Sequence, residues 1–405
     1  MLYAAYEACN NLMRPVRALA SNGRSWLARL ASGAGAGDRP GGIAAAYEML
    51  AQTALTHSRP SFAVDSVRIG DRTVPVREEA LCTTSFGTLV RFAKDVDMPQ
   101  PRVLLVAPLS GHFATLLRNT VEVLLPEHDV YITDWHNARD APLSEGRFGL
   151  DEYIDHIVKF IETMGPGAHV VAVCQSCVQV LAAVALLAED ASPLQPASMT
   201  LMAGPVDARI NPTKVNELAT SKPIEWFQRN LIATVPRVYP GAGRRVYPGF
   251  VQLAAFMSMN VDRHVKAHIE MHRMLADGER EKADVLKAFY DEYFAVLDLD
   301  ADFYLETVQR VFQEYHLARG MLECHGRSVN PAAIRRTALL TVEGERDDIC
   351  SVGQTLAAHD LCSGLRPYMK RHHMQAGVGH YGVFSGKRWA TQISPILKNT
   401  ILAAS

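Results

Sequence analysis

The sequence predicts an α/β fold in which a mainly parallel sheet is flanked by helices. Short apolar strand patterns alternate with longer helical patterns between residues 103 and 207, and the same rhythm returns from residue 337 onward. Strand patterns such as VLLVAPL, Val103 to Leu109, are apolar throughout and do not alternate with polar residues. Continuous apolar runs of this kind are typical of strands buried on both faces of a parallel sheet.

Composition limits the class of protein. The chain has 405 residues, 48% hydrophobic and 21% charged, which suits two domains or one core with a large insertion. A formal net charge of -2 gives no electrostatic basis for binding nucleic acid. Seven cysteines scattered from Cys9 to Cys362 favour a reducing cytoplasm over a disulfide framework. The first 20 residues lack the apolar core of a signal peptide, and the run Val178 to Ala188 is too short to span a bilayer. We therefore expect a soluble, cytoplasmic protein.

Residues 1–60 predict an N-terminal helical extension with a flexible linker. An amphipathic stripe within residues 1–31 is formed by Leu2, Tyr6, Cys9, Met13 and Val16. Such a stripe would pack on the parent domain or on another subunit of a homo-oligomer, with docking on a hydrophobic surface as the alternative. The glycine-rich run Gly33 to Gly42 predicts the linker, and Ile43 to His57 predicts a second helix.

Residues 61–207 predict the first part of the core. An antiparallel opening is indicated by SVRIG, TVPVREEAL and GTLVRFA, which begin at Ser66, Thr73 and Gly87. The strand patterns VLLVAPL, DVYITDW, HVVAV and SMTLMAGPVD follow, with helical patterns between them, one of which runs from Leu150 to Met164. This alternation implies right-handed crossovers on a mainly parallel sheet.

Residues 208–336 predict an all-helical insertion that would form a cap over the sheet, and residues 337–405 complete the core. The strand rhythm resumes with ALLTVEG and RPYMKRHHMQAG, and a helix ends the chain. Within the insertion RVYPG occurs twice, at residues 237–241 and 245–249. We interpret the two copies as a local duplication of a turn sequence. His264, His268 and His272 recur every four residues, but no carboxylate completes an HExxH motif. A packed or solvated helix face is favoured there, and we expect no metal.

The stretch HVVAVCQSC, His169 to Cys177, has the layout of a nucleophile elbow. A short buried strand ends at a candidate nucleophile, and an apolar helix begins directly after it. The strained turn requires small residues two positions before and two after the nucleophile, and around Cys174 these are Ala172 and Ser176. Registers centred on Ser176 or Cys177 fit worse. The alternatives are an inert buried cysteine and a CxxC redox motif. The pattern favours Cys174 as the nucleophile of an α/β-hydrolase fold.

In that fold an acid and then a histidine follow the nucleophile, each in a loop after a strand. Asp347 follows the strand ALLTVEG, and we expect Ile349 to anchor its loop on the core. Asp348 and Glu345 are the alternative acids, and Asp347 is preferred by analogy with other loops of this type.

The candidate histidine is His380, which lies in the glycine-flanked loop GVGHYG after the last strand. Flanking glycines allow the backbone to aim the imidazole at the elbow. His372 and His373 lie within the strand pattern KRHHM and are expected to face solvent or a sheet edge. The order Cys174, Asp347, His380 therefore predicts a catalytic triad.

The tetrahedral oxyanion of an acyl-transfer reaction needs hydrogen-bond donors. The elbow offers the backbone N–H of Gln175, and the loop after VLLVAPL offers a second donor around Gly111. The side chains of Ser110 and His112 are further candidates, and a simple tight turn is the alternative.

The chain resembles the intracellular polyhydroxybutyrate depolymerases of polyester-storing bacteria. The similar motifs are HVVAVCQ with LAAVALLAED, TDWHNARD, RRVYPGFVQLAAFMSMN, TVEGERDDIC with GQT, and GVGHYGVFSGKRW. The resemblance implies an α/β-hydrolase fold, a triad of Cys174, Asp347 and His380, and the amorphous polyester of native granules as substrate and partner. It implies no cofactor, although coenzyme A could replace water as acyl acceptor. Proline usually follows Val-Cys-Gln in this family, whereas this chain has Ser176 and Cys177.

Two other functions fit parts of the sequence. A polyester synthase shares the Cys-Asp-His core, but the synthases compared carry glycine on both sides of the cysteine, where this chain has Ala172 and Ser176. A non-catalytic granule-coat protein would use the N-terminal stripe and the helical insertion to bind polymer. Such a protein would not need Cys174, Asp347 and His380 to lie together.

Overall fold

The computed structural model describes residues 55–96, 99–259 and 261–405, together with residues 3, 6–8, 10 and 12; at 259 and 261–263 it describes the backbone alone. Fourteen strands occur in these ranges: β1 Ser66–Ile69, β2 Arg72–Thr83, β3 Gly87–Lys94, β4 Arg102–Val106, β5 Asp129–Trp135, β6 His169–Val173, β7 Ser198–Met202, β8 Ala233–Thr234, β9 Arg245–Tyr247, β10 Leu299–Asp300, β11 Glu323–Cys324, β12 Arg327–Ser328, β13 Ala338–Gly344 and β14 Lys370–Gln375.

Nine of these strands form one sheet in the order β1-β2-β3-β5-β4-β6-β7-β13-β14. Strands β1, β2 and β3 pair antiparallel, β3 pairs antiparallel with β5, and every later pairing is parallel. Strand β4 lies between β5 and β6, so the chain reverses its direction of travel across the sheet there. From β2 onward this is the strand order of an α/β-hydrolase, and the predicted fold class is confirmed.

Burial explains why the strand patterns differ. Strands β6 and β7 are buried along their whole length, which matches their continuous apolar sequence. Strand β2 lies near the antiparallel edge and alternates between buried and exposed residues. Strands β5 and β13 have the bounds that the sequence patterns DVYITDW and ALLTVEG predict.

Twelve α-helices occur in the described ranges: α1 Arg118–Leu124, α2 Leu150–Met164, α3 Ser176–Glu189, α4 Lys214–Thr220, α5 Ile224–Asn230, α6 Gly249–Met259, α7 Val261–Ala276, α8 Arg280–Tyr293, α9 Ala301–Glu306, α10 Ala358–Leu361, α11 Gly386–Arg388 and α12 Ser394–Ala404. Helix α9 continues into π-helical turns at Thr307–Gln313, and α11 continues into similar turns at Trp389–Ile393. Helix α3 is buried on almost all sides and packs beside α2, so the helix that follows the elbow lies in the centre of the core.

The segment between β7 and β13 differs from the all-helical insertion that the sequence predicts. It contains six helices, but also the three-stranded sheet β10-β9-β8 and the hairpin β11-β12. These strands are two or three residues long, too short to produce a period-2 pattern in the sequence. The second RVYPG copy forms β9 and the start of α6, whereas the first lies in turns. The domain boundaries at 60, 207 and 336 stay predictions.

Of the predicted stripe, Tyr6 is described, whereas Leu2, Cys9, Met13 and Val16 lie outside the described residues. The predicted linker at 33–42 and most of the predicted helix at 43–57 also lie outside them. Of the described N-terminal residues, Tyr3 donates a hydrogen bond to Asp298 at 2.5 Å. The ring of Tyr6 stacks on Phe250 with a centroid distance of 4.1 Å. These contacts join the start of the chain to α6 and to the segment before β10. Among the described residues, no helix has both the length and the apolar character needed to cross a membrane.

Candidate active site

Cys174 occupies a strained turn between β6 and α3. Its φ angle is +58°, in the left-handed region that residues with a side chain rarely adopt. The strand ends at Val173 and the helix begins at Ser176, so the turn contains two residues. The backbone N–H of Cys174 donates to the carbonyl oxygen of Met202 at 2.8 Å and fixes the turn to β7. Strain of this kind persists where the surrounding structure enforces it, and it lifts the side chain above the sheet edge.

Ser176 holds this turn through its hydroxyl group. The hydroxyl accepts a hydrogen bond from the N–H of Val173 at 3.1 Å, and its oxygen lies 2.9 Å from the carbonyl oxygen of Val106 on β4. The side chain is fully buried, so these backbone groups have no access to water. Ser176 therefore joins the elbow to the neighbouring strand, a role that the sequence alone did not reveal.

Cys177 faces the core. Its Sγ lies 3.6 Å from the carbonyl oxygens of Ala172 and Met202, and burial raises the pKa of its thiol well above the ordinary value. A Cβ atom at Gly204 would overlap this sulfur, which indicates how closely the site is packed. The six described cysteines are all free thiols. A thiol that is buried and neutral in this way is an inert small hydrophobic group.

Asp347 and His380 are brought together by the loops that follow β13 and β14. Nδ1 of His380 lies 2.8 Å from Oδ2 of Asp347, and both side chains are almost completely buried. The other carboxylate oxygen, Oδ1, accepts the N–H groups of Ile349 at 2.9 Å and Cys350 at 2.8 Å. His380 and Cys174 line the same cavity beside the elbow. The structure therefore brings the three residues of the predicted triad to one place, with Asp347 bonded to His380 and Cys174 facing the same space as His380.

The charge state of His380 depends on its two neighbours. Burial alone would lower the pKa of His380, but the negative charges and hydrogen bonds of Cys174 and Asp347 raise this pKa well above its ordinary value. The two neighbours therefore stabilise the imidazolium that forms when His380 accepts a proton.

The alternative acids and histidines lie elsewhere. Asp348 is exposed, and Glu345 is exposed and accepts the N–H of Gly377 at 2.6 Å. His372 and His373 lie on the edge strand β14, where Nδ1 of His372 lies 2.9 Å from the hydroxyl oxygen of Thr341 and Nε2 of His373 lies 3.0 Å from Oε1 of Gln375. Asp347 and His380 are therefore the acid and the histidine that approach Cys174. A non-catalytic coat protein would not require this proximity.

The backbone N–H of Gln175 lies at the start of α3, where helical N–H groups lack an intrahelical acceptor. The side chain of Gln175 also contributes, since its Oε1 accepts the N–H of Leu109 at 3.2 Å and its Nε2 lies 3.4 Å from the hydroxyl of Thr307. This amide bridges the loop after β4 and the π-helical turns of the insertion. No local pattern predicts this bridge, because Thr307 is 132 residues away.

The loop after β4 places Ser110, and not Gly111, beside Cys174. Ser110 lines both described cavities that border Cys174, whereas Gly111 lines neither. Gly111 has a φ of +95°, accepts the N–H of Leu297 at 3.0 Å, and has no room for a Cβ against Gln252. Gln175, Gly111 and Ser110 stay predictions as donors of the oxyanion hole. Glycine is required at position 111 because the backbone turns tightly beneath α6.

His112 is a buried ring that carries no charge near neutral pH. It is 5% exposed, and Nε2 donates to the carbonyl oxygen of Tyr293 over 3.2 Å if that nitrogen carries the proton. Burial lowers the pKa of His112 to about 4, so the ring is neutral above that pH. His112 therefore packs as an uncharged ring between Phe256 and Tyr293.

Three hollows surround Cys174 and His380. The first, here the apolar cavity, has a volume of about 170 Å³ and borders Cys174 and Gln175 beneath the insertion. The second, the inner cavity, borders both Cys174 and His380 and is lined by residues of the loop after β4. The third, the aromatic cleft, is about 590 Å³ and borders His380 beside α8. Ile349 lines all three hollows, so its side chain faces these spaces and does not anchor the loop in the core as expected.

The regularly spaced histidines of α7 border a hollow on the outer surface, here the surface hollow. Nδ1 of His268 lies 2.8 Å from the carbonyl oxygen of His264, and Nδ1 of His264 lies 3.1 Å from the hydroxyl of Tyr290. These bonds fit the predicted packed helix face. Elsewhere, one set of potential metal ligands in the described residues comprises Asp155, Cys324 and His325, in which Asp155 and His325 already form an ion pair at 2.7 Å.

Comparison with solved structures gives hydrolases and esterases of low sequence identity. The chain is 15% identical to a 2-hydroxy-6-oxo-6-phenylhexa-2,4-dienoate hydrolase from Rhodococcus sp. strain RHA1, over 81% of this chain and 99% of that chain, with a TM-score of 0.45. An esterase from Thermogutta terrifontis is 13% identical over 80% and 98% of the two chains, with a TM-score of 0.42. A monoacylglycerol lipase from Paleococcus ferrophilus is 13% identical over 78% and 99%, with a TM-score of 0.44.

The search of curated proteins found no match. A protein family described as "PHB de-polymerase C-terminus" matches residues 203–405, which is half of the chain. The matched region contains Asp347 and His380, whereas Cys174 lies before it. In the half of the chain before residue 203, the strand order and the strained turn at Cys174 are those of an α/β-hydrolase fold. The chain therefore belongs to the PHB depolymerase family, carboxylic ester hydrolases of the α/β-hydrolase superfamily.

Proposed function

We propose that this protein is a poly(3-hydroxybutyrate) depolymerase that cleaves amorphous storage polyester with a cysteine nucleophile. The observation that carries the proposal is the arrangement of three residues: Asp347 binds His380 at 2.8 Å, and His380 lines the same cavity as the strained Cys174. Membership in the PHB depolymerase family supports the choice of polymer. The products are 3-hydroxybutyrate units or short oligomers, and the reaction takes place at the granule surface in the cytoplasm.

In the first step His380 accepts the proton of the Cys174 thiol, and the thiolate attacks an ester carbonyl carbon of the polymer. Asp347 keeps the proton of the imidazole on Nδ1, so Nε2 is the nitrogen that faces the thiol. The carbonyl oxygen becomes an oxyanion. It accepts one hydrogen bond from the N–H of Gln175 and a second from a donor in the loop at Ser110. Loss of one such donor typically lowers the rate by about 10²- to 10³-fold.

In the second step the ester C–O bond breaks, and the departing alkoxide takes the proton from His380. A shortened chain leaves with a new hydroxyl end, and a thioester remains on Cys174. Water then gives a proton to His380 and adds to the thioester carbonyl. The C–S bond breaks, the sulfur of Cys174 recovers that proton from His380, and the carboxylic acid is released. If the thiol of coenzyme A replaces water in this step, the product is an acyl-coenzyme A.

The test compares Cys174→Ala with Cys177→Ala on amorphous polymer granules. Since Cys177 faces the core, its replacement is a matched control that alters packing without altering the elbow thiol. We expect Cys174→Ala to lose about 10⁴-fold or more of the hydrolysis rate, and Cys177→Ala to remain within about threefold of the unmodified protein. Equal activity in the two variants would contradict the proposal.

Product analysis separates the neighbouring reactions. With polymer and water alone, release of free 3-hydroxybutyrate supports hydrolysis, whereas release that needs added coenzyme A supports transfer to that thiol. Formation of polymer from 3-hydroxybutyryl-coenzyme A would instead support a synthase, the building direction of the same chemistry.

A further inference from the structure

The hollows that meet at Cys174 differ in the catalytic groups that they border. The apolar cavity borders Cys174 and Gln175, but His380 is not among its lining residues. The inner cavity borders Cys174 and His380, but Gln175 is not among its lining residues. The aromatic cleft shares Phe256, Ile349, His380 and Tyr381 with the inner cavity, so it continues from the His380 side of the site.

The chemistry of ester cleavage decides which part of the substrate each hollow receives. The leaving oxygen must take a proton from His380, so the alcohol part of the ester lies on the His380 side. The acyl carbon is bonded to Cys174 and its oxyanion accepts the N–H of Gln175, so the acyl chain extends away from His380. We propose that the apolar cavity is the acyl-binding subsite, that the inner cavity, of about 30 Å³, admits the leaving oxygen, and that the aromatic cleft holds the rest of the alcohol part. This inference rests on the proposed function and concerns the same site.

The apolar cavity has the size and surface for one polyester repeat unit. A cavity of about 150 Å³ lined by apolar side chains holds benzene, which has six heavy atoms. A 3-hydroxybutyryl unit also has six heavy atoms, four carbons and two oxygens, and the cavity volume is about 170 Å³. Aliphatic and aromatic side chains form most of its wall, with Ala255, Phe303, Phe312 and Ile349 among them. The subsite therefore selects acyl groups that are short and apolar.

Helix α6 offers a variant with a matched control one residue away. Ala255 lines the apolar cavity and none of the inner cavity, the aromatic cleft or the surface hollow. Ala254 is exposed and lines the surface hollow. Ala255→Phe would fill the acyl subsite, whereas Ala254→Phe adds the same ring outside it. On the other side of the site, Ala267 lines the aromatic cleft and not the apolar cavity, so Ala267→Phe would narrow the alcohol side.

The assay uses small esters, so it does not depend on polymer cleavage. One series varies the acyl group from acetyl to butyryl to hexanoyl on a fixed p-nitrophenyl alcohol, and a second varies the alkyl alcohol on a fixed butyryl group. We expect Ala255→Phe to lower kcat/KM for the butyryl ester relative to the acetyl ester by at least about tenfold, since each excluded methylene changes selectivity by about 10- to 200-fold. Ala254→Phe leaves the ratio unchanged, and Ala267→Phe changes the alcohol series alone.

A second variant tests the same subsite in case Ala255→Phe fails to fold. Phe312→Ala enlarges the apolar cavity, and we expect the hexanoyl ester to gain relative to the butyryl ester. Equal effects of Ala255→Phe across the acyl series, or a response confined to the alcohol series, would overturn the assignment of the subsite. A protein that cleaves the small esters with the expected selectivity but leaves amorphous polymer intact would overturn the proposed polymer substrate and support the subsite.

Discussion

Replacement of Asp347 by asparagine tests the triad most directly, because the structure dictates how the amide would bind. Oδ1 of Asp347 accepts two backbone N–H groups, from Ile349 and Cys350. The carbonyl oxygen of an asparagine must occupy this position, since an amide NH₂ cannot accept those bonds. The NH₂ group then faces Nδ1 of His380, which becomes an acceptor. The ring proton moves to Nε2, the nitrogen that must accept the proton of Cys174.

The size of the effect follows from the lost charge as well as from the wrong tautomer. Asp347 lies 2.8 Å from the ring nitrogen of His380 and its side chain is fully buried. A pair of unit charges about 4 Å apart at an effective dielectric constant of about 20 gains about 4 kcal/mol, equal to a factor of about 10³ in rate. Substitution of a triad aspartate by asparagine costs about 10⁴-fold where the tautomer is reversed. We therefore expect kcat to fall by about 10³- to 10⁴-fold.

The assay is hydrolysis of p-nitrophenyl butyrate between pH 6 and pH 9, with thermal unfolding of each variant measured in parallel. Asp348→Asn is the matched control, because Asp348 is the exposed neighbour on the same loop, and it should retain activity within about threefold. A loss below tenfold in a folded Asp347→Asn protein would refute the reasoning. So would an equal loss in Asp348→Asn.

Two further predictions concern stability. Ser176→Ala leaves the buried N–H of Val173 without its acceptor, so the free energy of unfolding should fall by about 1–3 kcal/mol in urea titrations. The control Thr391→Ala, which removes an exposed helical hydroxyl, should change the free energy of unfolding by less than about 0.5 kcal/mol. Equal urea midpoints for the two variants would contradict the role of Ser176. Burial lowers the pKa of His112 to about 4. Below pH 6.5 the unfolded chain therefore binds a proton that the folded chain does not, and the free energy of unfolding decreases as the pH falls from about 6.5 to about 4. Lowering the pH from 7 to 5 should reduce the free energy of unfolding of the unmodified protein by about 2 kcal/mol through this group. In His112→Gln, whose amide can still donate to Tyr293, the reduction should be about 2 kcal/mol smaller. Identical reductions in the two proteins would contradict this prediction.

The sequence predicted the parts of the fold that have long or continuous patterns. Strands β5 and β13 and helix α2 have the bounds read from the sequence, because their apolar residues recur over seven to fifteen positions. The order of Cys174, Asp347 and His380 was also informative. Each follows a strand of a parallel sheet, and the carboxyl ends of parallel strands meet at one edge. Their proximity is thus a consequence of the topology.

The contacts between distant segments could not be predicted in this way. The short strands of the insertion are held by pairing with each other, not by any pattern of their own. Gly111 turns tightly against Gln252 of α6, and no local signal predicts that packing. The same holds for the bridge from Gln175 to Thr307. The last two contacts, Gly111 with Gln252 and Gln175 with Thr307, join residues separated by more than a hundred positions.

The loop after β13 shows how this fold separates chemistry from selectivity. The position of Asp347 depends on the backbone N–H groups of Ile349 and Cys350, which any residue other than proline would supply. The side chain of Ile349 is not needed for that purpose, and it lines all three hollows around the site. A substitution of Ile349 can therefore reshape the space offered to the substrate while the carboxylate stays on His380. Backbone bonds hold the acid of the site, and the side chain between them is free to adapt to the ester.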